Sequence, residues 1–353
     1  MNIFENKDYF ESIDNDLASC ITPTPLLEAH QLKSYFNLNK VYLKLEGSLP
    51  FSHTFKDRGA ITAINYLLNH NEKKVAFASC GNMGSAIALV AKRKGIQPYA
   101  IVSDEASFAN MMMVHKSGAN YVVYKGRFDE IDSIIADFSS KNPDFPCINT
   151  NLMHEYAKGL KSLYYELFES LHDKHKEINV VVPTADGTLL SSLYEGYLHL
   201  KDKHKDFVVH FIMVQPSGCA PLVKAFVNNE AIQTWNESTT EVLSLSVNNP
   251  FLNGNNALKA VQESRGMAIS VNEKYAESMY EMVSRLEGIL IDDVGGIVIA
   301  SLNELSKNSD LNGYPTVCLL TSNGLKTIEK QKGVIIKSAI NNKDIVISSL
   351  MSD

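Results

Sequence analysis

Cysteine is scarce. Five residues, Cys20, Cys80, Cys147, Cys219 and Cys318, are scattered over 353 positions. No two have zinc-site or redox-pair spacing, so reduced thiols in a cytosol fit best and no resident metal is expected. Also missing is any run near the ~18 apolar residues of a membrane span. Met1 to Asp16 is acidic and lacks an apolar segment, so it does not read as a signal peptide. Positive charge is in deficit, with 33 Lys and Arg against 40 Asp and Glu and a net charge of −7. Without a basic cluster, neither a nucleic-acid surface nor a membrane partner is expected. Repeats and low-complexity segments are absent as well. The remaining composition, 45% apolar and 21% charged, is that of a globular protein long enough for one large or two medium domains.

Strand and helix patterns alternate along the chain. Thr22-Pro23-Thr24-Pro25-Leu26 is a rigid extended entry to a strand over Val41–Leu45. Ala60, Ile61, Ala63, Ile64, Leu67 and Leu68 then have the spacing of one buried helix face. Strands are read at 75–79, 98–102 and 120–124, with helices at 86–94, 108–116 and 128–138 between and after them. The run Asn142-Pro143-Asp144-Phe145-Pro146 is a turn-rich break and a candidate domain crossing. Beyond it a long helix over 156–171 opens a second series. Strands at 179–182 and 208–214 alternate there with helices at 189–200 and 221–227. Residues 234–256 read as a long surface loop. A helix at 276–286, a strand at 288–291, a helix at 297–306 and a strand at 316–320 complete the pattern. Such βα runs predict parallel sheets covered on both faces. The last twenty residues, after Gly333, are weakly patterned and read as an arm or packing tail.

Ligands of open parallel sheets sit where strand ends meet helix N-termini, and four loops there carry chemistry. Lys56 falls on the first turn of the first long helix, where the positive end of the dipole favours a neutral amine. A held neutral amine is what imine chemistry needs, although a Lys-Asp-Arg run also reads as a solvated surface. The loop Ser79-Cys80-Gly81-Asn82-Met83-Gly84-Ser85 offers backbone N–H groups and an amide; its plain reading is an ordinary βα turn. Pro183-Thr184-Ala185-Asp186-Gly187-Thr188 could hold a phosphate on its N–H groups, or simply carry Asp186 as a helix cap. Thr321-Ser322-Asn323-Gly324-Leu325-Lys326 puts a hydroxyl after a buried strand.

Taken together and in this order, these stretches resemble the fold-type II (tryptophan synthase beta-like) pyridoxal-phosphate enzymes, and within them the threonine synthases. The resemblance runs from the Thr22–Leu26 entry to the Thr321 loop. It is most specific in Phe55-Lys56-Asp57-Arg58-Gly59, Ser79–Asn82, Lys158-Gly159-Leu160-Lys161 and the run from Val214 to Pro221. It implies two α/β domains: residues 1–53 and 148–353 form a large cofactor-binding domain and 54–147 a small mobile one. It implies that Lys56 carries pyridoxal 5′-phosphate as an imine and serves as base at Cα. Asn82 would meet the ring oxygen, Thr321 the ring nitrogen, and Thr184, Ala185, Asp186, Gly187 and Thr188 the phosphate. The substrate, a small amino acid, would lie against Ser79, Cys80, Gly81, Met83 and Gly84, with His53, Tyr156 and Lys158 nearby. A neutral partner for the ring nitrogen suits elimination or replacement over transamination. The resemblance is compatible with a homodimer.

Departures from the family pattern concern the substrate. Met83 replaces a hydroxyl residue, and Tyr156 stands where a phosphate-binding arginine is usual. Ala185, Asp186 and Thr188 replace more glycine-rich residues. Ser52-His53-Thr54 replaces a Gly-Ser approach, in a loop about one residue longer than usual. Loss of an arginine–phosphate contact removes a strong charge-assisted bond; His53, Lys158 and Lys161 are the candidate substitutes. The implied activity is that of a lyase converting O-phosphohomoserine and water to threonine and phosphate. A serine/threonine ammonia-lyase or β-replacement enzyme, which needs no phosphate pocket, is the alternative. Intact Lys56, Asn82 and Thr321 count against a third reading, an idle relative that binds cofactor or a partner protein.

Overall fold

The computed structural model describes residues 2–330 except Glu11, Cys80, Gly126 and Arg127. Cys80 and the tail after Gly333, both singled out in the sequence, lie outside the described residues. The first half of the chain forms α1 (Asn15–Cys20), β1 (Leu26–Glu28), α2 (His30–Phe36), β2 (Val41–Leu45), α3 (Lys56–Asn69), β3 (Lys74–Ser79), α4 (Asn82–Arg93), β4 (Gln97–Ser103), α5 (Phe108–Lys116), β5 (Asn120–Tyr124) and α6 (Phe128–Lys141). The second half forms α7 (Met153–Leu171), β6 (Glu177–Pro183), α8 (Thr188–Lys201), β7 (Val208–Pro216), α9 (Pro221–Asn228), α10 (Phe251–Glu263), β8 (Met267–Val271), α11 (Glu273–Glu287), α12 (Asp293–Ala300), α13 (Leu302–Leu305) and β9 (Thr316–Leu320). Among the described residues no helix is long and apolar enough to cross a membrane.

The strands make two sheets, one of six in the order β1-β2-β9-β6-β7-β8 and one of three, β3-β4-β5. All pairings are parallel except that of the short β1 with β2. This is the expected α/β architecture. Central strands are apolar on both faces, as in β6, where Ile178, Val180, Val181 and Val182 are fully buried. β9 comes last in sequence but lies between β2 and β6, with Leu45 opposite Leu320 and Val181 opposite Cys318. The carboxyl ends of β2, β9 and β6 therefore share one edge. That register brings together the loops leading to Lys56, Thr321 and Ala185.

Three differences from the sequence reading have local causes. The stretch 234–256 is not a loop throughout: α10 starts at Phe251, and its polar run Asn253-Gly254-Asn255-Asn256 hides in the sequence an apolar face of Ala257, Ala260 and Val261, all fully buried. Residues 288–291 are no strand; Gly288, at φ +69°, terminates α11, and the chain goes straight on to α12. The last strand of the large sheet on that side is β8, which pairs with β7. The helix expected at 297–306 begins earlier, capped by Asp292, and breaks at Ser301.

α3 is the element that the two sheets share. Ala60, Ile61, Ala63, Ile64 and Leu67 are fully buried in a core that also holds residues of β3, α4, α7 and β6. Its crossing with α7 is close because residue 159 is glycine: a Cβ there would lie 2.1 Å from the Arg58 carbonyl oxygen. The first turn is tied to the large sheet by buried charge. Arg58 donates from Nε to Glu46 at 2.6 Å and from Nη1 to Glu166 at 2.7 Å, and Lys44 donates to Glu166 at 2.6 Å. Thr24 closes the group on Glu46 at 2.6 Å.

Candidate active site

Lys56 is the first residue of α3 and is half-buried. Its Nζ lies 4.6 Å from the centre of the Phe55 ring and 6.0 Å from that of Tyr156. The loop before it is held from three sides. Phe55 N–H donates to the Thr321 carbonyl at 3.0 Å, and Thr54 bridges to Ser322. The Asp57 carboxylate accepts from Phe51 N–H at 2.9 Å and from the Ser52 N–H and hydroxyl at 2.9 and 2.5 Å. Burial pushes the Asp57 carboxyl up to about 6, against the pull of those hydrogen bonds and of the Lys326 charge. His53 sits exposed at the loop's apex with φ +58°.

Tyr156 is fully buried where a substrate contact was expected. Its ring fills the space left by Gly59, and its hydroxyl donates to the Lys56 carbonyl at 3.2 Å. It supports the turn that carries Lys56 and does not reach outward. Burial, and with it the charges of Asp57 and Asp186, holds its hydroxyl well above the usual phenol range.

The chain leaving β3 turns through Gly81 into α4, four residues sooner than the apolar pattern indicated, so Asn82 opens the helix. The Ser79 hydroxyl accepts from Gly81 N–H at 3.1 Å and Gly84 N–H at 3.0 Å, and the side chain is turned inward. Met83 packs half-buried on the core. The amide oxygen of Asn82 accepts from Lys326 Nζ at 2.8 Å, and the same ammonium donates to the Ser52 carbonyl at 2.8 Å. Burial draws Lys326 down to about 8, although Asp57 and Asp292 pull the other way. Asp292 accepts from Gly295 N–H at 2.8 Å and from Ser322. Burial and the charge of Asp293 hold its carboxyl above the usual range.

At the end of β6, the N-cap of α8 is Gly187 rather than Asp186, whose carboxylate lies one residue earlier and closes on the first helical residue. That carboxylate accepts from Thr188 N–H at 3.0 Å and from the Thr188 hydroxyl at 2.5 Å. Gly187 has φ +96° and leaves no room for a Cβ, which would lie 2.8 Å from the Asn253 carbonyl oxygen. Asn253 also donates to the Thr188 hydroxyl at 2.8 Å. Buried Gln215 joins this loop to α9, donating to the Thr184 carbonyl at 3.2 Å and accepting from Leu222 and Val223 N–H at 2.9 and 3.0 Å. Among the described residues, the N–H groups of Ala185, Asp186 and Gly187 have no partner. They lie at the positive end of a 14-residue helix.

Residues 17–322 match the family model described as pyridoxal-phosphate dependent enzyme. The chain belongs to this family. Among curated proteins it is similar to threonine synthases. That of Methanosarcina acetivorans is 26% identical over 86% of this chain and 75% of its own length, and that of Halalkalibacterium halodurans 24% identical over 86% and 82%. Among solved structures it resembles maize serine racemase, with a TM-score of 0.73, 20% identity and coverage of 89% of this chain and 94% of that one. Tomato (Solanum lycopersicum) threonine deaminase isoform 2 gives 0.71, 19%, 89% and 84%. The fold is thus that of the fold-type II enzymes, and pyridoxal phosphate is the cofactor.

The pyridoxal-phosphate site has residues that fit the group. Unpaired N–H groups at a helix N-terminus suit a phosphate. Thr321 is 4% exposed, and among the described residues its hydroxyl has no hydrogen-bond partner, which suits a ring nitrogen. Lys158 is 44% exposed at its side chain and paired with Glu155 at 2.8 Å, and Lys161 is paired with Glu195 at 2.6 Å. Neither stands as an unengaged cation. The sequence reading missed Lys326, Asp57, Gln215, Asn253 and Asp292. Asp57, Gln215 and Lys326 stand in stretches that carry the family resemblance, but their contacts are not legible there; Asn253 and Asp292 carry no signal in the sequence.

Proposed function

We propose that this chain is a lyase that removes a leaving group from a small amino acid and adds water in its place, with O-phosphohomoserine the favoured substrate and threonine and phosphate the products. Similarity to threonine synthases over 86% of the chain supports the substrate. The observation that carries the chemistry is Lys56 on the first turn of α3, walled by Phe55 and Tyr156 and joined through its loop to Thr321.

Pyridoxal phosphate, when bound, accepts the electron pair left at Cα after proton loss. Lys56 holds the cofactor and then takes and returns the proton at Cα. The Thr321 hydroxyl meets the ring nitrogen without giving it full charge, which favours loss of a leaving group over transamination. The amide of Asn82 meets the ring oxygen. Ala185, Asp186 and Gly187 hold the phosphate through N–H groups, and the Asp186 carboxylate stays on Thr188, clear of repulsion. The start of α4, with Gly81, Met83 and Gly84, receives the substrate carboxylate. Residues 54–147 close over the substrate as a unit. The ties of Arg58 to Glu46 and Glu166 hold the first turn of α3 on the large sheet, so that turn, at the start of the closing unit, is the hinge beside which Lys56 stands. The protein works in the cytosol.

A second reading, an ammonia-lyase or β-replacement enzyme on an unphosphorylated amino acid, is favoured by the pairing of Lys158 and Lys161 with glutamates and the burial of Tyr156. Steady-state assays on phosphohomoserine, O-acetylated homoserine and serine, serine and threonine, with the products identified, decide between them. Threonine and phosphate from phosphohomoserine are the expected result. Oxo acid and ammonia from serine or threonine alone would overturn the first reading.

A further inference from the structure

Lys326 is 5% exposed, and three chain segments meet at its ammonium: its own loop after β9, Ser52 before α3, and Asn82 at the start of α4. Its two hydrogen bonds, each 2.8 Å, go to a carbonyl and an amide oxygen rather than to a carboxylate. Burying an ammonium on neutral partners is unfavourable, and a methionine of similar length would avoid that. The arrangement does have a chemical consequence. An ammonium only donates, so the atom of Asn82 facing it is the oxygen, and the amide is not free to flip. Asn82 is left with N–H donors alone for any ligand, and a group lying against it must be an acceptor.

We propose that Lys326 is a positioning residue that acts on the cofactor through Asn82: by holding the amide oxygen it leaves only donors facing the ring, and so selects the ionised form of the ring oxygen. This rests on the assignment of Asn82 to that oxygen made above.

The test uses apoenzyme reconstituted with pyridoxal phosphate, read by the cofactor's dissociation constant and by the ratio of its visible to near-ultraviolet absorbance between pH 6 and 9. In Lys326→Met the visible band is expected to give way to the near-ultraviolet band, and the dissociation constant to rise about tenfold, the worth of one charge-assisted hydrogen bond. Lys326→Arg should recover most of the band. In the Asn82→Ala background, Lys326→Met should change the ratio no further, because its effect passes through the amide. Should Lys326→Met not fold, Lys326→Gln carries the same test, with a smaller expected loss of the visible band. An unchanged spectrum in these Lys326 variants, beside a changed one in Asn82→Ala, would overturn the role of Lys326 alone. Additive effects in the double variant would overturn it too. An unchanged spectrum and affinity in Asn82→Ala would overturn the assignment beneath it.

Discussion

Asp57 and Arg58 are neighbours on the first turn of α3 and both are fully buried, yet they face clusters of opposite character. Arg58 faces carboxylates. With Lys44, Glu46 and Glu166 it forms a set in which each charge meets an opposite one at 2.6–2.7 Å. Burial works against Glu166 and Lys44 alike. For Glu166 the Arg58 and Lys44 charges win and hold the carboxyl below its usual range; for Lys44 burial wins and draws the ammonium down. Asp57 faces hydroxyl and N–H donors, and beyond them Lys326, itself bonded to neutral oxygens. Here burial dominates each member: Asp57 is lifted to about 6 and Lys326 lowered to about 8. Closed pairs make a scaffold, whereas buried charges on neutral partners are left near their titration points beside the residues that would meet the cofactor.

The largest effect expected sets the two sides of α3's first turn apart. Lys56→Ala should abolish the visible absorbance of the protein-bound cofactor and lower kcat by about 10³-fold or more. The unfolding midpoint of the apoenzyme in urea should barely move, because Lys56 is only half-buried and Arg58 still ties the turn. Full activity in this variant would end the catalytic reading.

Arg58→Met should do the reverse. It leaves Glu46 and Glu166 buried with one cation fewer, a loss of about 3–5 kcal/mol. A lower thermal midpoint in both apo and holo forms is expected, with kcat per folded molecule within a few-fold of the parent. A variant as stable as the parent would mean that the cluster is not a scaffold.

The third effect is a pH dependence peculiar to the Asp57 side. Lys326 titrates near 8 when folded against 10.5 for the free side chain. Below pH 8 the folded state therefore carries the full cost of its charge; between about pH 8 and 10.5 the unfolded chain binds more protons, and stability recovers. Relative to Lys326→Met, the parent should gain about 3 kcal/mol at most across that window. Asp57 has the opposite sign. Its raised carboxyl favours the folded state below pH 4, and that advantage is lost as pH rises through about 6. Denaturant titrations at pH 7 and 10 read the Lys326 part as a difference between parent and variant; a difference that does not change with pH would remove it.

What could be read in advance follows the same division. Periodicity exposed α5 and β9 to the residue, because a buried strand or helix face writes its own pattern, whereas β5, largely exposed, was legible from its β-branched and aromatic run Tyr121-Val122-Val123-Tyr124. Lys56, Asn82 and Thr321 could be picked out because each stands in a loop between elements so patterned. α10 could not, since the run Asn253-Gly254-Asn255-Asn256 near its start is polar where it packs on the Gly187 loop and its continuous apolar face comes later. Nor could Lys326, because nothing nearby in sequence tells a lysine aimed at a residue 244 positions away from one aimed at solvent. Tyr156 shows the converse. Its place in the motif was legible, but its burial depends on the absent side chain of Gly59, on another helix.

The smallest effect expected concerns the cations that the sequence offered in place of a phosphate-binding arginine. Lys158 is already paired with Glu155, and its side chain is 44% exposed. An exposed pair of this kind contributes roughly 0–1 kcal/mol. A cation so engaged would have to leave its glutamate and give up water to bind a substrate phosphate, and much of the attraction would be offset. His53 is exposed at the apex of its loop, with solvent competing for any anion it meets. Lys158→Ala and His53→Ala should therefore each change kcat/KM for phosphohomoserine less than about threefold, which corresponds to under ~0.7 kcal/mol. If either variant loses tenfold or more on the phosphorylated substrate while an O-acetylated one is unaffected, that residue turns to the phosphate in the complex. The phosphate pocket would then lie on this exposed side of the cleft, away from the buried charge around Lys326.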